Sequence, residues 1–70
     1  MKKMTSKELA WQVYKYNQPI DYDWIRYLRN KNGTAQTMRE FINGYIEAEG
    51  INVSKNMITR AIDELYYLLR

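Results

Sequence analysis

The fold of this chain is decided by residues 50–70, which read GINVSKNMITRAIDELYYLLR. Ser54 is a favoured N-cap residue, because its hydroxyl can accept a hydrogen bond from a free backbone N–H at the start of a helix. Apolar residues then recur at helical spacing and predict one buried face. We expect a turn at residues 50–53 and then an amphipathic helix that ends near Leu69. Its buried face should consist of Ile58, Ala61, Ile62, Leu65, Leu68 and Leu69.

A second amphipathic helix is predicted just before this turn, over residues 35–49, with Thr34 as its cap and Gly50 as its end. Gly44 lies inside it, either as a tolerated surface glycine or at a close crossing with another helix. These two alternatives stay open. The apolar stripe of this helix follows the i, i+3, i+4, i+7, i+8 pattern and consists of Met38, Phe41, Ile42, Tyr45 and Ile46.

Two further helices are predicted in the first half of the chain. The first runs from Ser6 to Tyr16 after a capping box formed by Thr5 and Glu8, and the segment Asn17-Gln18-Pro19 ends it. The second covers residues 22–30, with Asp21 as N-cap and a turn at residues 30–33. Its buried face should consist of Trp24, Ile25 and Leu28.

These elements predict an all-α fold, a compact bundle of four short helices in which the last two form a helix-turn-helix. Seventy residues make one domain, residues 1–70, with residues 1–4 as a flexible tail. The chain has no cysteine, so it forms no disulfide. A chain this small has a small core, and its remaining means of stabilisation are helix packing, its many aromatic residues and self-association.

Composition also narrows the function. The absence of both histidine and cysteine removes the usual general base and the commonest metal ligands, and no Gly-rich phosphate loop is present. We therefore expect no enzyme, no cofactor and no metal. No apolar run reaches the roughly 20 residues of a membrane span, and no signal segment is evident, so we expect a cytoplasmic protein without a membrane partner.

The net charge of +3 permits nucleic-acid binding, but its distribution is uneven. Residues 1–33 carry seven basic and three acidic side chains, a net charge of +4. Residues 34–70 carry four basic and five acidic side chains, a net charge of −1. The half that contains the predicted helix-turn-helix is therefore not the basic half.

The pair Val53-Ser54, followed after three residues by ITRAI at residues 58–62, resembles the start of the recognition helix in lactose-repressor-type DNA-binding domains and in many winged-helix proteins. The resemblance covers about residues 38–65. It implies that Val53 fills the gap between the two helices and that the last helix enters the major groove of double-stranded DNA. Two features depart from the pattern: residues 51–52 lengthen the turn, and Asp63 shares the outward face and would repel phosphate.

The resemblance implies a set of DNA contacts. Asn pairs bidentately with adenine and Arg with guanine, whereas contacts to phosphates position a protein without reading the sequence. The alternative for each residue is an ordinary solvated helix face or helix end, and for Lys2 and Lys3, which could also contact phosphates, a disordered tail. The candidate DNA-binding residues are Ser54, Lys55, Asn56, Thr59, Arg60, Arg26, Arg29 and Lys31.

Tyrosine is in surplus, because a core this small cannot bury ten aromatic residues. Tyr66 and Tyr67 are predicted to point away from the apolar stripe of their helix, and Tyr14 and Tyr16 cannot both turn inward. Exposed tyrosines are enriched at protein interfaces, so these four predict a homodimer seam or a surface for a partner protein. The alternative is partial burial against the first helix.

Three functions follow. The first is a small DNA-binding protein, expected to be a dimer, that acts as a transcriptional or replication accessory factor; its general style resembles products of bacteriophages and mobile elements. The second is a protein-binding inhibitor or adaptor that acts through the tyrosine-rich helical surface. The third is a structural domain that forms an obligate oligomer.

Overall fold

A computed structural model describes residues 4–70 of the chain. It contains α1 (Ser6–Tyr16), α2 (Tyr22–Asn32), α3 (Thr34–Glu49) and α4 (Lys55–Leu69). No strand occurs within the described residues, so the predicted all-α fold is confirmed. No helix in this part of the chain combines the length and the apolar character that crossing a bilayer requires.

Three of the four helices begin at the cap residues that the sequence predicts. Thr5 Oγ1 accepts a hydrogen bond from the backbone N–H of Glu8 at 3.1 Å. Asp21 Oδ1 accepts a hydrogen bond from the backbone N–H of Trp24, also at 3.1 Å. Ser54 Oγ accepts one from the backbone N–H of Met57 at 3.1 Å. Each cap satisfies one of the donors that the first turn of a helix leaves free, so these starts are specified locally.

The junction between α2 and α3 differs from the prediction. α2 continues to Asn32, and Thr34 is the first residue of α3 rather than its cap. Gly33 makes the whole turn by itself at φ +89°. Its carbonyl accepts hydrogen bonds from both the backbone N–H and the hydroxyl of Thr37, at 3.1 and 2.8 Å. A single glycine in a conformation that other residues avoid therefore replaces the longer predicted turn.

The turn between α3 and α4 agrees with the sequence. Gly50 is left-handed, with φ +64° and ψ 34°, and the N–H of Ile51 donates to the carbonyl of Ile46 at 3.2 Å, which closes the end of α3. Ile51 and Val53 are half-buried and pack against the core. The turn is thus tied to the helices on both sides of it.

The core lies where α4 meets α1 and α3, while α2 packs against α3. Met4, which the sequence places in the flexible tail, is half-buried and packs against this core. The rest of the predicted tail, residues 1–3, lies outside the described residues. The buried apolar residues are Leu9, Ala10, Val13, Ile25, Met38, Ile42, Tyr45, Ala61, Ile62, Leu65 and Leu69.

Trp24 on α2 and Gly44 on α3 both lie at the surface of the protein. The prediction that Trp24 is buried is wrong: its side chain is 52% exposed and stacks on Tyr27. α2 meets mainly α3, so only a narrow strip of it is covered, with Ile25 buried and Leu28 half-buried. Gly44 is exposed, and a Cβ built on it would meet nothing within 4 Å, so it is a surface glycine and not a helix crossing.

Gly44, inside α3, and Gly50, at the end of α3, form a matched pair for a stability test. Gly44→Ala should raise the free energy of unfolding by about 0.5–1 kcal/mol, because alanine loses less backbone entropy in an open helical position. Gly50→Ala should lower it by about 1 kcal/mol, because φ is positive there. Urea unfolding of both variants measures the two effects, and equal signs would contradict the assigned conformations.

The phenol of Tyr45 should make the free energy of unfolding depend on pH in the alkaline range. Burial raises the pKa of its phenol above the ordinary 10.0, and the nearby carboxylate of Glu49 raises it further. Well below pH 10 the phenol is protonated in both states and contributes no pH dependence. As the pH approaches and passes 10, the unfolded chain loses this proton first, so the free energy of unfolding falls as pH rises.

Tyr45→Phe should therefore make this alkaline loss of stability shallower. The matched control is Tyr67→Phe, which removes a hydroxyl from an exposed ring. Urea unfolding at a series of pH values from 8 to about 11.5 provides the measurement. An unchanged pH profile in Tyr45→Phe, or the same change in both variants, would contradict the role given to Tyr45.

Candidate nucleic-acid interface

The N-terminal half of α4 is divided into a packed face and a free face. Met57 and Ile58 are half-buried, and Ala61 is fully buried against the core. The other positions of this segment are polar and exposed. They are the five candidate DNA contacts that the sequence assigns to this helix: Ser54, Lys55, Asn56, Thr59 and Arg60.

The hydrogen bonds of this segment show which of these groups are free. Ser54 Oγ serves as the cap of α4, and the hydroxyl of Thr59 donates to the carbonyl of Lys55 at 3.0 Å. Within residues 4–70, no hydrogen bond or ion pair engages the side chains of Lys55, Asn56 or Arg60. An amide and two cations are therefore available to a ligand.

The start of α1 lies beside the start of α4. An open cleft of about 340 Å³ separates them. Backbone N–H groups at the first turn of a helix are free donors, and the helix dipole is positive there, so both helix starts favour a negatively charged group. The residues that line the cleft are Thr5, Ser6, Ser54, Asn56, Met57 and Arg60.

The structure does not gather the basic residues of α2 into this site. Arg29 is half-buried: its Nε donates to Thr34 Oγ1 at 3.3 Å, and its guanidinium lies 5.2 Å from the ring centre of Tyr66. Tyr66 lies roughly 16 Å along the axis of α4 from Lys55, at 1.5 Å per residue. Arg29 is thus at the opposite end of the molecule from the cleft.

The two other basic residues of α2 are also engaged locally. Arg26 forms an exposed ion pair with Asp23 at 3.7 Å, and Lys31 lies 5.8 Å from the ring centre of Tyr27. α2 packs mainly against α3, and Arg29 meets α4 near Tyr66 rather than near Lys55 and Arg60.

The acidic residues of α4 begin beyond Arg60. Asp63 is exposed and lines a shallow cleft with Thr34, Ala35 and Tyr66, at the start of α3. A negative charge therefore lies one turn beyond Thr59 on the helix, as the sequence predicts. In the part of the chain that the structure describes, no three carboxylates come together in a group that could hold a metal ion.

Three of the four tyrosines predicted as an interface are linked by aromatic contacts. Tyr66 meets Tyr67 at 5.9 Å between ring centres, and Trp11, which stacks on Tyr14, lines one groove with Tyr67. Tyr67 is exposed, whereas Tyr66 beside it is half-buried and packs against the core, so the alternative of partial burial applies to Tyr66 and not to Tyr67. Tyr14 is half-buried, whereas Tyr16 is exposed and meets Tyr45 edge to face at 5.4 Å between ring centres. The guanidinium groups of Arg29 and Arg70 lie 5.2 and 5.9 Å from the centre of the Tyr66 ring.

Sequence reasoning missed Trp11, which is 48% exposed and lines an apolar groove between α1 and α4. Its position was informative, since it falls outside the stripe formed by Leu9, Ala10 and Val13. We call this feature the α1–α4 groove. Its volume is about 360 Å³, and it is lined by Thr5, Lys7, Glu8, Trp11, Glu64, Tyr67 and Leu68.

Comparison of the chain with protein-family models, curated proteins and solved structures finds no match.

Proposed function

We propose that this protein binds double-stranded DNA through the N-terminal half of α4, as a cytoplasmic transcriptional or replication accessory factor of the kind found in bacteriophages and mobile elements. One observation carries the proposal. The first two turns of α4 are capped by their own Ser54, packed on one side and lined on the other by Lys55, Asn56 and Arg60, which have no partner within residues 4–70.

The dimensions of this surface suit the major groove. An α-helix with its side chains is about 10–12 Å across, and the major groove is about 12 Å wide. Asn56 and Arg60 lie one turn apart on the same side of α4, about 6 Å along its axis. Bases on one strand follow each other at about 3.4 Å, so these side chains span two neighbouring base pairs.

Each group then has a role that its chemistry allows. Arg60 presents two donors to the O6 and N7 atoms of guanine, and Asn56 pairs with the edge of adenine. Lys55 and the free N–H groups at the starts of α1 and α4 hold phosphates on either side. The unpaired cations also make binding dependent on salt, because each phosphate contact releases counterions.

Anisotropy titrations of a labelled random duplex, and of a site selected from a duplex library, test the proposal. Arg60→Ala and Asn56→Ala should each weaken binding to the selected site by about 1–3 kcal/mol, because each removes a bidentate base contact. Lys55→Ala should weaken binding to both duplexes alike. It should also lower the slope of log affinity against log salt concentration by about 1.

The matched control is Arg26→Ala, which removes the same charge from α2, away from the cleft. It should leave the affinity for the selected site nearly unchanged. No binding to the random duplex below about 100 μM at low salt would contradict DNA binding, because non-specific binders reach that affinity even at physiological salt. An equal loss in Arg26→Ala and Arg60→Ala would contradict the role of α4.

A second candidate function is a protein-binding inhibitor or adaptor, and the α1–α4 groove favours it. Tyr67 is 64% exposed there, beside the exposed ring of Trp11. The wild-type protein should then retain a partner from nuclease-treated lysate, and Tyr67→Ala should lose it. Tyr27→Ala should retain the partner, because the ring that it removes is exposed on α2, away from the groove. Equal retention by all three proteins would count against this candidate.

A further inference from the structure

The α1–α4 groove has a mainly apolar surface, and large aromatic rings form its walls. Trp11 on α1 is held in place because it stacks on Tyr14 at 5.4 Å between ring centres. Tyr67 on α4 carries the guanidinium of Arg70 at 4.8 Å from its ring centre. Aromatic residues that are exposed and already ordered lose little entropy on association, which makes them suited to an interface.

The two walls carry free charges of opposite sign. Lys7 lies on the α1 wall and Glu64 on the α4 wall. Glu8 also lines the α1 wall, but its carboxylate accepts a hydrogen bond from Thr5 Oγ1 at 3.3 Å. Within residues 4–70 the one ion pair is formed by Arg26 and Asp23, so neither Lys7 nor Glu64 has an ionic partner. A surface with a cation on one wall and an anion on the other is complementary to a rotated copy of itself.

The directions of the helices determine how such a copy would fit. Thr5 lines the cleft with Ser54 and Arg60, while Trp11, further along α1, lines the groove with Tyr67. α1 and α4 therefore run in the same direction, and Lys7 and Glu64 each lie about one turn before the aromatic residue of their own helix. A two-fold axis parallel to the helices keeps every residue at its own height.

We propose that the α1–α4 groove binds a second copy of this chain, with a two-fold axis parallel to α1 and α4. α1 of one copy then packs on α4 of the other. Lys7 pairs with the partner subunit's Glu64, and Trp11 packs on the partner subunit's Tyr67. The symmetry repeats both contacts. A perpendicular axis would instead place the charged end of each groove against the aromatic end of the other.

The parallel arrangement has a consequence for the cleft at the helix starts. Both copies of α4 begin at the same end of the dimer, so two clefts face the same side. The pairing of the copies is a property of the protein alone and does not depend on DNA binding. Measurements without DNA therefore test it separately from the proposed function.

Sedimentation equilibrium of the full chain over a range of micromolar concentrations tests the dimer. The wild-type chain should show a concentration-dependent dimer. Tyr67→Glu should raise its Kd by at least about tenfold, because the substitution places a carboxylate in the centre of the contact. Tyr27→Glu is the matched control, since its ring is 52% exposed on α2, and it should leave the Kd unchanged.

A charge exchange tests the crosswise geometry. Lys7→Glu and Glu64→Lys should each raise the Kd by about three- to tenfold, and the double variant should return it to within about threefold of wild type. Circular dichroism of each variant shows that the helices remain. A monomer at all concentrations, an effect of Tyr27→Glu equal to that of Tyr67→Glu, or a double variant no better than the single ones would overturn the proposal.

Discussion

The packing of one face of α4 is the interaction on which the rest of this structure depends. Ala61 and Leu65 are fully buried and Leu69 almost so, and through them α4 supports both α1 and α3. α2 then depends on α4 indirectly, because it rests on α3. Since a short helix can bury only one face, the same packing leaves the opposite side of α4 in solvent. The polar side chains near its start are exposed for this reason.

The helix caps at Thr5 and Ser54 make one end of the molecule chemically different from the other. Thr5 and Ser54 start two helices side by side, so their free N–H groups and dipoles lie together. Arg29 and Tyr66 lie at the other end, where the start of α3 meets α4. The overall charge of +3 therefore says less about a ligand than the convergence of two helix starts with Arg60.

The sequence predicts the features of this fold that have local causes. The caps at Thr5, Asp21 and Ser54 and the end of α3 at Gly50 each depend on a few neighbouring residues, and all are confirmed. Periodicity also identifies the apolar face of α4, and it identifies the five outward candidates of its first turns, whose exposure is confirmed. Their use in binding DNA stays a prediction, because exposure alone does not select a ligand.

Features that depend on which helices are neighbours could not be predicted in this way. Trp24 follows the helical pattern of a buried residue, yet α2 meets too little of the protein to cover it. Tyr66 lies outside the stripe of α4, yet it is half-buried, with Arg29 of α2 at 5.2 Å from its ring centre. Backbone amide shifts of ¹⁵N-labelled protein, followed during titration with a short duplex, test the role of α4 most directly. DNA binding through α4 should concentrate the shifts at residues 54–60 and at Thr5 and Ser6. Shifts confined to α2 or to the α1–α4 groove would contradict this role.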